Sequence, residues 1–262
     1  MFDYLIIGGG IAGISAAARL SEHGATLVLE AEAHLAYHTS GRSAALYEQN
    51  YGSPSTVALA KAARTDFHGM LSGVLSPRGF LLVCLQGEEA QFEYDLEHMH
   101  LSEVAVADAA KLVPILDSSS VIRTASSATA RDIDTDMMLQ IFARRIRTNG
   151  GTVETNQQVT AIDKMKQGWC VTTGSGQYEA QKIVNAAGAW GDEIAQLAGL
   201  PKIGLTPFRR SVARLSAPGG QAVQGWPMLF GPGERWYAKP DAGGLIVSLA
   251  EETPSPPMDA WA

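Results

Sequence analysis

The chain opens on an apolar, β-prone run, Phe2 to Ile7, which predicts a strand. The run breaks at Gly8-Gly9-Gly10. Ile14, Ala17, Ala18 and Leu20 then recur at helical spacing, and Gly24 stops that helix. Thr26 to Leu29 predicts a second strand, with Glu30 at its tip. Residues 56–74 predict a helix whose apolar positions are Val57, Leu59, Ala60, Ala63, Phe67 and Met70. Gly79 to Cys84 reads as a strand, 87–100 as an acidic helix, 108–113 as a short helix stopped by Pro114, and 117–130 as a loop plus a strand. A well-marked helix follows DIDTD. Asp134 or Thr135 caps it, Met138, Ile141, Phe142 and Ile146 form its apolar face, and Asn149-Gly150 ends it. Arg144, Arg145 and Arg147 read as its solvated face. Thr152 to Thr173 reads as strands and a hairpin, and Gln181 to Ala187 as a buried strand. After Pro201 the chain turns to Pro, Gly and aromatic residues, material for an antiparallel sheet.

Strand, glycine turn, helix, strand and terminal acid make one β-α-β unit carrying G-x-G-x-x-G. Each residue type has a physical task. Gly8 permits the tight turn, Gly10 lets backbone approach a pyrophosphate, and Gly13 lets the helix lie close to the strand. The helix start at Ile11 and Ala12 offers free N–H groups and a positive dipole end to phosphates. Glu30 stands 22 residues after Gly8, where an acid accepts hydrogen bonds from a ribose. It also repels a ribose 2′-phosphate, so the unit suits FAD or NAD better than NADP.

Composition narrows the class. The 262 residues are 46% hydrophobic and 18% charged, with a net charge of −7 and no basic block, which gives no footing for nucleic acid. No apolar run is long enough to cross a bilayer. With an apolar strand already at residue 2, no signal peptide is expected. Cys84 and Cys170 are far apart and match no metal spacing, so buried thiols in a reducing cytoplasm are expected. His98 and His100 face different ways on a helix, and no metal site is expected.

The pieces YHTSGRSAA, LSPR, DIDTD, VNAAGAW, RRS, WPML and YAKPDAG occur in order along the chain. Together they resemble the FAD-dependent D-amino-acid oxidase superfamily, and within it the bacterial D-arginine dehydrogenases and their relatives. The resemblance implies an α/β (α+β) fold in which a Rossmann-like FAD-binding domain of glutathione-reductase type joins a mainly antiparallel substrate domain. Both are expected to be discontinuous: 1–46 with 130–203, and 47–129 with 204–262. It implies FAD bound in an extended form. Ala31 joins Glu30 at the second strand end, Thr39, Arg42, Ser43 and Ala45 flank the isoalloxazine and pyrophosphate, and Val159 holds the adenine through its backbone. Ala187, Gly188 and Trp190 are expected on the flavin side, where the small residues Ala186, Ala187 and Gly188 let a strand end pass close to a flat cofactor. Family members run longer, so a fragment or a natural short form lacking the closing segment is expected.

On the substrate side the resemblance assigns Arg210 and Tyr237 to a substrate carboxylate and Tyr51 to the pocket. Arg suits this task because its planar fork pairs bidentately. Strand alternation sends Arg209 the other way. Two positions depart from the arginine enzymes: Leu46 and Glu48 replace a histidine and a threonine, and Phe80 stands where a glutamate meets the basic side chain. An apolar wall gives a guanidinium no counter-charge. The expected activity is therefore oxidation of a neutral or hydrophobic D-amino acid. Hydride passes to flavin N5, and the imine hydrolyses to a 2-oxo acid and ammonia. No residue is assigned as acid or base. The rival expectations are a sibling oxidoreductase of secondary amines or 2-hydroxy acids, and an inactive FAD-binding fragment or subunit. Flavin re-oxidation needs an electron acceptor that no motif here identifies.

Overall fold

The computed structural model describes residues 1–260 and divides them into two compact units. Trp261 and Ala262 lie outside the described residues.

The first unit gathers 1–43, 135–207 and 254–259. Its six-stranded sheet runs in the order Val159–Lys164, Trp169–Thr173, Gly176–Asn185, Phe2–Ile7, Thr26–Leu29, Thr152–Glu154. Phe2–Ile7 is parallel to Gly176–Asn185 and to Thr26–Leu29, which is itself parallel to Thr152–Glu154. The two remaining strands add an antiparallel meander. Leu5, Ile7, Leu27, Leu29, Val159, Ile162 and Val171 fill one core. Full burial of such side chains contributes roughly 1.5–3 kcal/mol each. Helices Ile11–Leu20 and Thr135–Thr148 pack against each other. The second of these buries Leu139, Phe142, Ala143 and Ile146. Its stripe is thus rotated from the expected one, and Leu139 replaces Met138. Arg145 is not simply solvated, because it pairs with Glu22 at 2.8 Å.

The second unit gathers 44–134 and 208–253, with residue 260. Its seven-stranded sheet has the order Ala213–Leu215, Gly244–Ser248, Tyr237–Asp241, Met228–Phe230, Phe80–Leu85, Val121–Ser127, Ser102–Val104. All its described pairings are antiparallel except Met228–Phe230 with Phe80–Leu85. Alternation divides the sheet residues between two cores. Phe80, Leu82, Met228, Phe230, Tyr237 and Ile246 share one, and Leu81, Val83, Leu229, Ala238 and Leu245 the other.

Several expectations need correction. The Arg131–Ile133 strand pairs with Leu46–Tyr47 and Leu75–Pro77, so residues 130–134 and 44–46 go with the second unit. Residues 254–259 go with the first, where the Ser255 N–H bonds the Pro207 carbonyl. The helix expected over 56–74 spans Pro54–His68 and buries none of its side chains, and Leu59 is 72% exposed. The strand through Gln181 is at most half-buried beyond Ala180. Cys84 is buried, but Cys170 is only partly so. Among the described residues no helix is long and apolar enough to cross a membrane, and no cluster of His, Cys, Asp or Glu could hold a metal.

Candidate active site

The glycine turn is built by close backbone approach. A Cβ on Gly8 would lie 2.3 Å from the Ala186 carbonyl oxygen, and the residue has φ +112°. A Cβ on Gly13 would lie 1.9 Å from the Gly8 oxygen. Gly8 therefore joins the first strand to the end of Gly176–Asn185, and Gly13 seats the helix against the turn. Gly10 differs. Its φ of −73° and ψ of 178° suit any residue, and a Cβ there would meet only Ser40 Oγ, at 3.2 Å. Nothing in the protein demands glycine at position 10. The helix that follows has no side-chain cap from Gly10, and Ser40 Oγ accepts its Ile11 N–H at 3.0 Å. These residues fit a pyrophosphate.

Glu30 is only 9% exposed. Its Oε2 accepts the Gly9 N–H at 2.5 Å and its Oε1 accepts the Glu32 N–H at 2.9 Å. The carboxylate is thereby fixed beside the turn, with lone pairs to spare for a ribose. Its carbonyl accepts the Gln157 N–H, which brings the chain leading to Val159 alongside. Ala31 is exposed next to it. Ala187 and Gly188 follow the strand at the Gly8 contact, and Gly188 to Trp190 form a 3₁₀ turn.

A second 3₁₀ turn, Thr39–Arg42, carries Thr39 and Arg42, with Ser43 directly after it; all three are exposed. Ser40, which the sequence reading passed over, accepts the Ile11 N–H at 3.0 Å and so sits at the helix start. Gly9, also passed over, bonds Glu30. A hydroxyl beside the expected Thr39 was the available signal. Ala45 lies in the second unit, at φ +52°.

The expected substrate residues all fall in the second unit. Leu46 packs on the core that contains Phe80, Phe230 and Tyr237. The Tyr51 ring stands edge-on to Phe230 with centroids 5.9 Å apart, and Phe230 meets Phe80 at 5.1 Å. Phe80 is 2% exposed and Tyr237 5%. Glu48 is also buried. It accepts the Asn50 N–H at 3.2 Å, Ser127 Oγ at 3.2 Å and Thr129 Oγ1 at 3.3 Å, so hydroxyls and an amide, not a cation, meet its carboxylate.

Arg210 lies just past the short Phe208–Arg209 strand and is exposed. Its Nη1 reaches Glu234 at 2.5 Å and its Nη2 reaches Glu252 at 3.3 Å. Tyr51 donates its hydroxyl to the other Glu234 oxygen. Burial and the Glu234 contact push the Tyr51 phenol well above its usual range, which keeps it a donor. Arg210 and Tyr51 thus converge on one carboxylate.

Residues 3–260 match the DAO family, described as FAD dependent oxidoreductase. The chain belongs to that family. FAD is accordingly its cofactor. The match extends to mitochondrial dimethylglycine dehydrogenase of Mus musculus, 24% identical over 95% of this chain and 30% of the relative. It extends also to L-2-hydroxyglutarate dehydrogenase of Escherichia coli K12, 28% identical over 85% of this chain and 56% of the relative. The chain thus spans well under two thirds of the curated relatives' length. Among solved structures, L-proline dehydrogenase from P. horikoshii superposes with a TM-score of 0.82 at 21% identity, over 98% of this chain and 71% of that one. Glycine oxidase from Geobacillus kaustophilus gives 0.77 at 18% identity, over 98% and 73%. At such identities the structures establish the fold.

Proposed function

We propose that the protein containing this chain oxidises a D-amino acid with a neutral, hydrophobic side chain. The observation that carries this reading is the meeting of Arg210 and Tyr51 on a single carboxylate, that of Glu234. Two donors that hold an internal carboxylate in this way can hold that of an amino acid. Beside Tyr51, the Phe230–Phe80 ring pair and Leu46 form an apolar wall. Such a wall rewards buried carbon at about 25 cal/mol per Å² and offers a cation no partner.

FAD, when bound, supplies the two-electron acceptor. The chain's own residues do the rest. Arg210 and Tyr51 fix the carboxylate, which orients the Cα–H bond, and the apolar wall positions the side chain. The Cα–H electron pair leaves as hydride, the amine becomes an imine, and water hydrolyses it to a 2-oxo acid and ammonia. Tyr237 lies in the same core and is assigned to the carboxylate end. Gly8, Gly10, Ile11, Ala12, Gly13, Glu30 and Ala31 are assigned to the nucleotide, and Thr39, Arg42, Ser43, Ala45, Val159, Ala187, Gly188 and Trp190 to the rest of FAD.

Steady-state kcat/KM of the full-length enzyme across D-leucine, D-phenylalanine, D-methionine, D-lysine and D-arginine tests the reading. The neutral substrates should lead. A clear preference for either basic substrate would overturn the assigned side-chain class and point to buried Glu48 as its anion. A second reading, oxidation of a secondary or tertiary amine or a 2-hydroxy acid, is favoured by the names of the curated relatives, dimethylglycine and L-2-hydroxyglutarate dehydrogenases. Sarcosine, dimethylglycine and 2-hydroxyglutarate in the same panel separate the two.

A further inference from the structure

The loop between Ala31 and Ser43 contains no strand or α-helix. Within it, backbone bonds run from Ala36 N–H to the Gly9 carbonyl and from Gly41 N–H to the His38 carbonyl. The Glu32 carbonyl also accepts the Asn156 N–H at 2.9 Å, and side chains add further restraint. His38 meets Glu32 through Nε2 at 3.0 Å and lies against Trp190 at a tilt of 46°, with ring centroids 4.6 Å apart. Tyr37 stands edge-on to His38 at 5.0 Å, and the Arg42 guanidinium lies over the Tyr37 ring at 5.1 Å.

One group closes this set from far along the chain. Asp259 accepts Arg42 Nη2 at 2.8 Å through Oδ1 and the Tyr37 hydroxyl at 3.0 Å through Oδ2. The sequence separations are 217 and 222 residues. Arg42, Tyr37 and Asp259 therefore form a closed triangle at the turn that also places Ser40 on the Ile11 N–H.

We propose that Asp259 is a positioning residue for the cofactor: it fixes the Arg42 guanidinium and the Tyr37 ring so that the 37–42 loop is preformed for FAD. The inference rests on the assignment of Arg42 to the flavin loop. Its physical basis is preorganisation. A flexible arginine loses rotamer freedom whenever it binds an anion, and a carboxylate that already holds it removes part of that cost. Arg42 and Asp259 are 40% and 32% exposed. An exposed pair of this kind adds little to global stability. Its effect should appear in cofactor affinity and loop order, not in the melting temperature. The Arg42 hydrogen bond also holds the Asp259 carboxyl below the usual carboxylate range, so the clamp stays charged at neutral pH.

The test uses the whole chain and two readouts. FAD affinity is measured by flavin fluorescence for Asp259→Ala, Asp259→Glu, Arg42→Met and the Asp259→Ala/Arg42→Met double variant. Amide hydrogen exchange is measured on the cofactor-free protein. Asp259→Ala should raise the FAD Kd roughly threefold to tenfold, as expected for one charge-assisted contact. Asp259→Glu should recover part of the loss, and in the Arg42→Met background Asp259→Ala should add less than about twofold. Exchange should quicken at residues 37–42 and not in the strand Thr26–Leu29.

The outcomes separate the inference from its premise. If Arg42→Met leaves FAD affinity intact, the assignment of Arg42 fails. If Arg42→Met weakens binding but Asp259→Ala does not, or if the two losses simply add, the positioning role fails. Tighter binding by Asp259→Ala would make Asp259 a competitor of the pyrophosphate and overturn the role with opposite sign. Unchanged exchange at 37–42 overturns it without reference to FAD.

Discussion

The two glycines that flank the start of the first helix should fail in opposite ways. Gly13→Ala puts a Cβ 1.9 Å from the Gly8 carbonyl oxygen, where real side chains keep at least 3.0 Å. The helix must therefore move about 1 Å away from the turn, and the obstacle is backbone, which has no rotamer to yield. Overpacking of this kind costs about 1–3 kcal/mol, and rigid backbone argues for the upper end. In a protein of this size that lowers Tm by roughly 2–12 °C, at 2–4 °C per kcal/mol. At Gly10 an added Cβ meets only Ser40 Oγ, at 3.2 Å, in a backbone conformation that valine adopts freely. Its folding cost is limited to a weaker helix cap, about 1 kcal/mol. The phosphate cradle, however, is filled. Thermal melts of the cofactor-free chain and FAD binding by fluorescence measure both quantities. Gly13→Ala should lose Tm, and Gly10→Val should lose FAD at nearly unchanged Tm. Full flavin occupancy in Gly10→Val would refute the pyrophosphate assignment, and an unmoved Tm in Gly13→Ala would refute the close-packing argument.

In the full-length enzyme, Arg210→Met should lower kcat/KM by two or more orders of magnitude, about 2.7 kcal/mol or more, with the flavin spectrum intact. Arg209→Met should do much less, since the neighbouring charge it influences is Glu251; equal losses would show that the carboxylate site lies elsewhere. Phe142→Ala, at a 6% exposed position, should destabilise by about 3–5 kcal/mol, whereas Met138→Ala on the rim should cost far less; urea unfolding ranks them. Acid stability follows from carboxylates whose pKa is lowered by folding: Glu22 by Arg145, and Asp117, brought down to about 2 by Ser119 and Ser120. A depressed folded pKa adds stability above the unfolded value that is lost on the way down. Stability should therefore hold to about pH 4 and fall between about 4 and 2; a flat profile there, measured by denaturant midpoint, would contradict these pairings.

The β-α-β unit was readable because its determinants are local. Glycine spacing, helical periodicity and Glu30 all lie within one short stretch. The tight contacts of Gly8 and Gly13 follow from that spacing. The role of Asp259 was not readable, because its partners are 217 and 222 residues away and nothing in SPPMDAW marks them. Periodicity also overreached. The Pro54–His68 helix has apolar positions yet buries none of them, because amphipathic spacing reports what a helix could bury and not whether a partner exists. The stripe of Thr135–Thr148 shifted by one position for a related reason: its packing partner, Ile11–Leu20, sets the angle of contact. At Arg210 the residue type suggested an anion, but only the fold shows that the chain supplies one itself, from Glu234.

The pairing of Phe2–Ile7 with Gly176–Asn185 bears on how the protein is made. Tyr4 lies opposite Lys182, and Ile7 opposite Asn185. At roughly 5–20 residues per second, ribosomal synthesis separates these partners by roughly 9–36 s. Throughout that interval the β-α-β unit has an open sheet edge carrying Leu5, Ile6 and Ile7, all of which end up buried. An apolar edge left unpaired for so long invites pairing with other chains. The nascent protein should therefore be a customer for chaperones until the Gly176–Asn185 strand emerges, and its yield should respond to chaperone supply more than the stability of the finished fold would suggest.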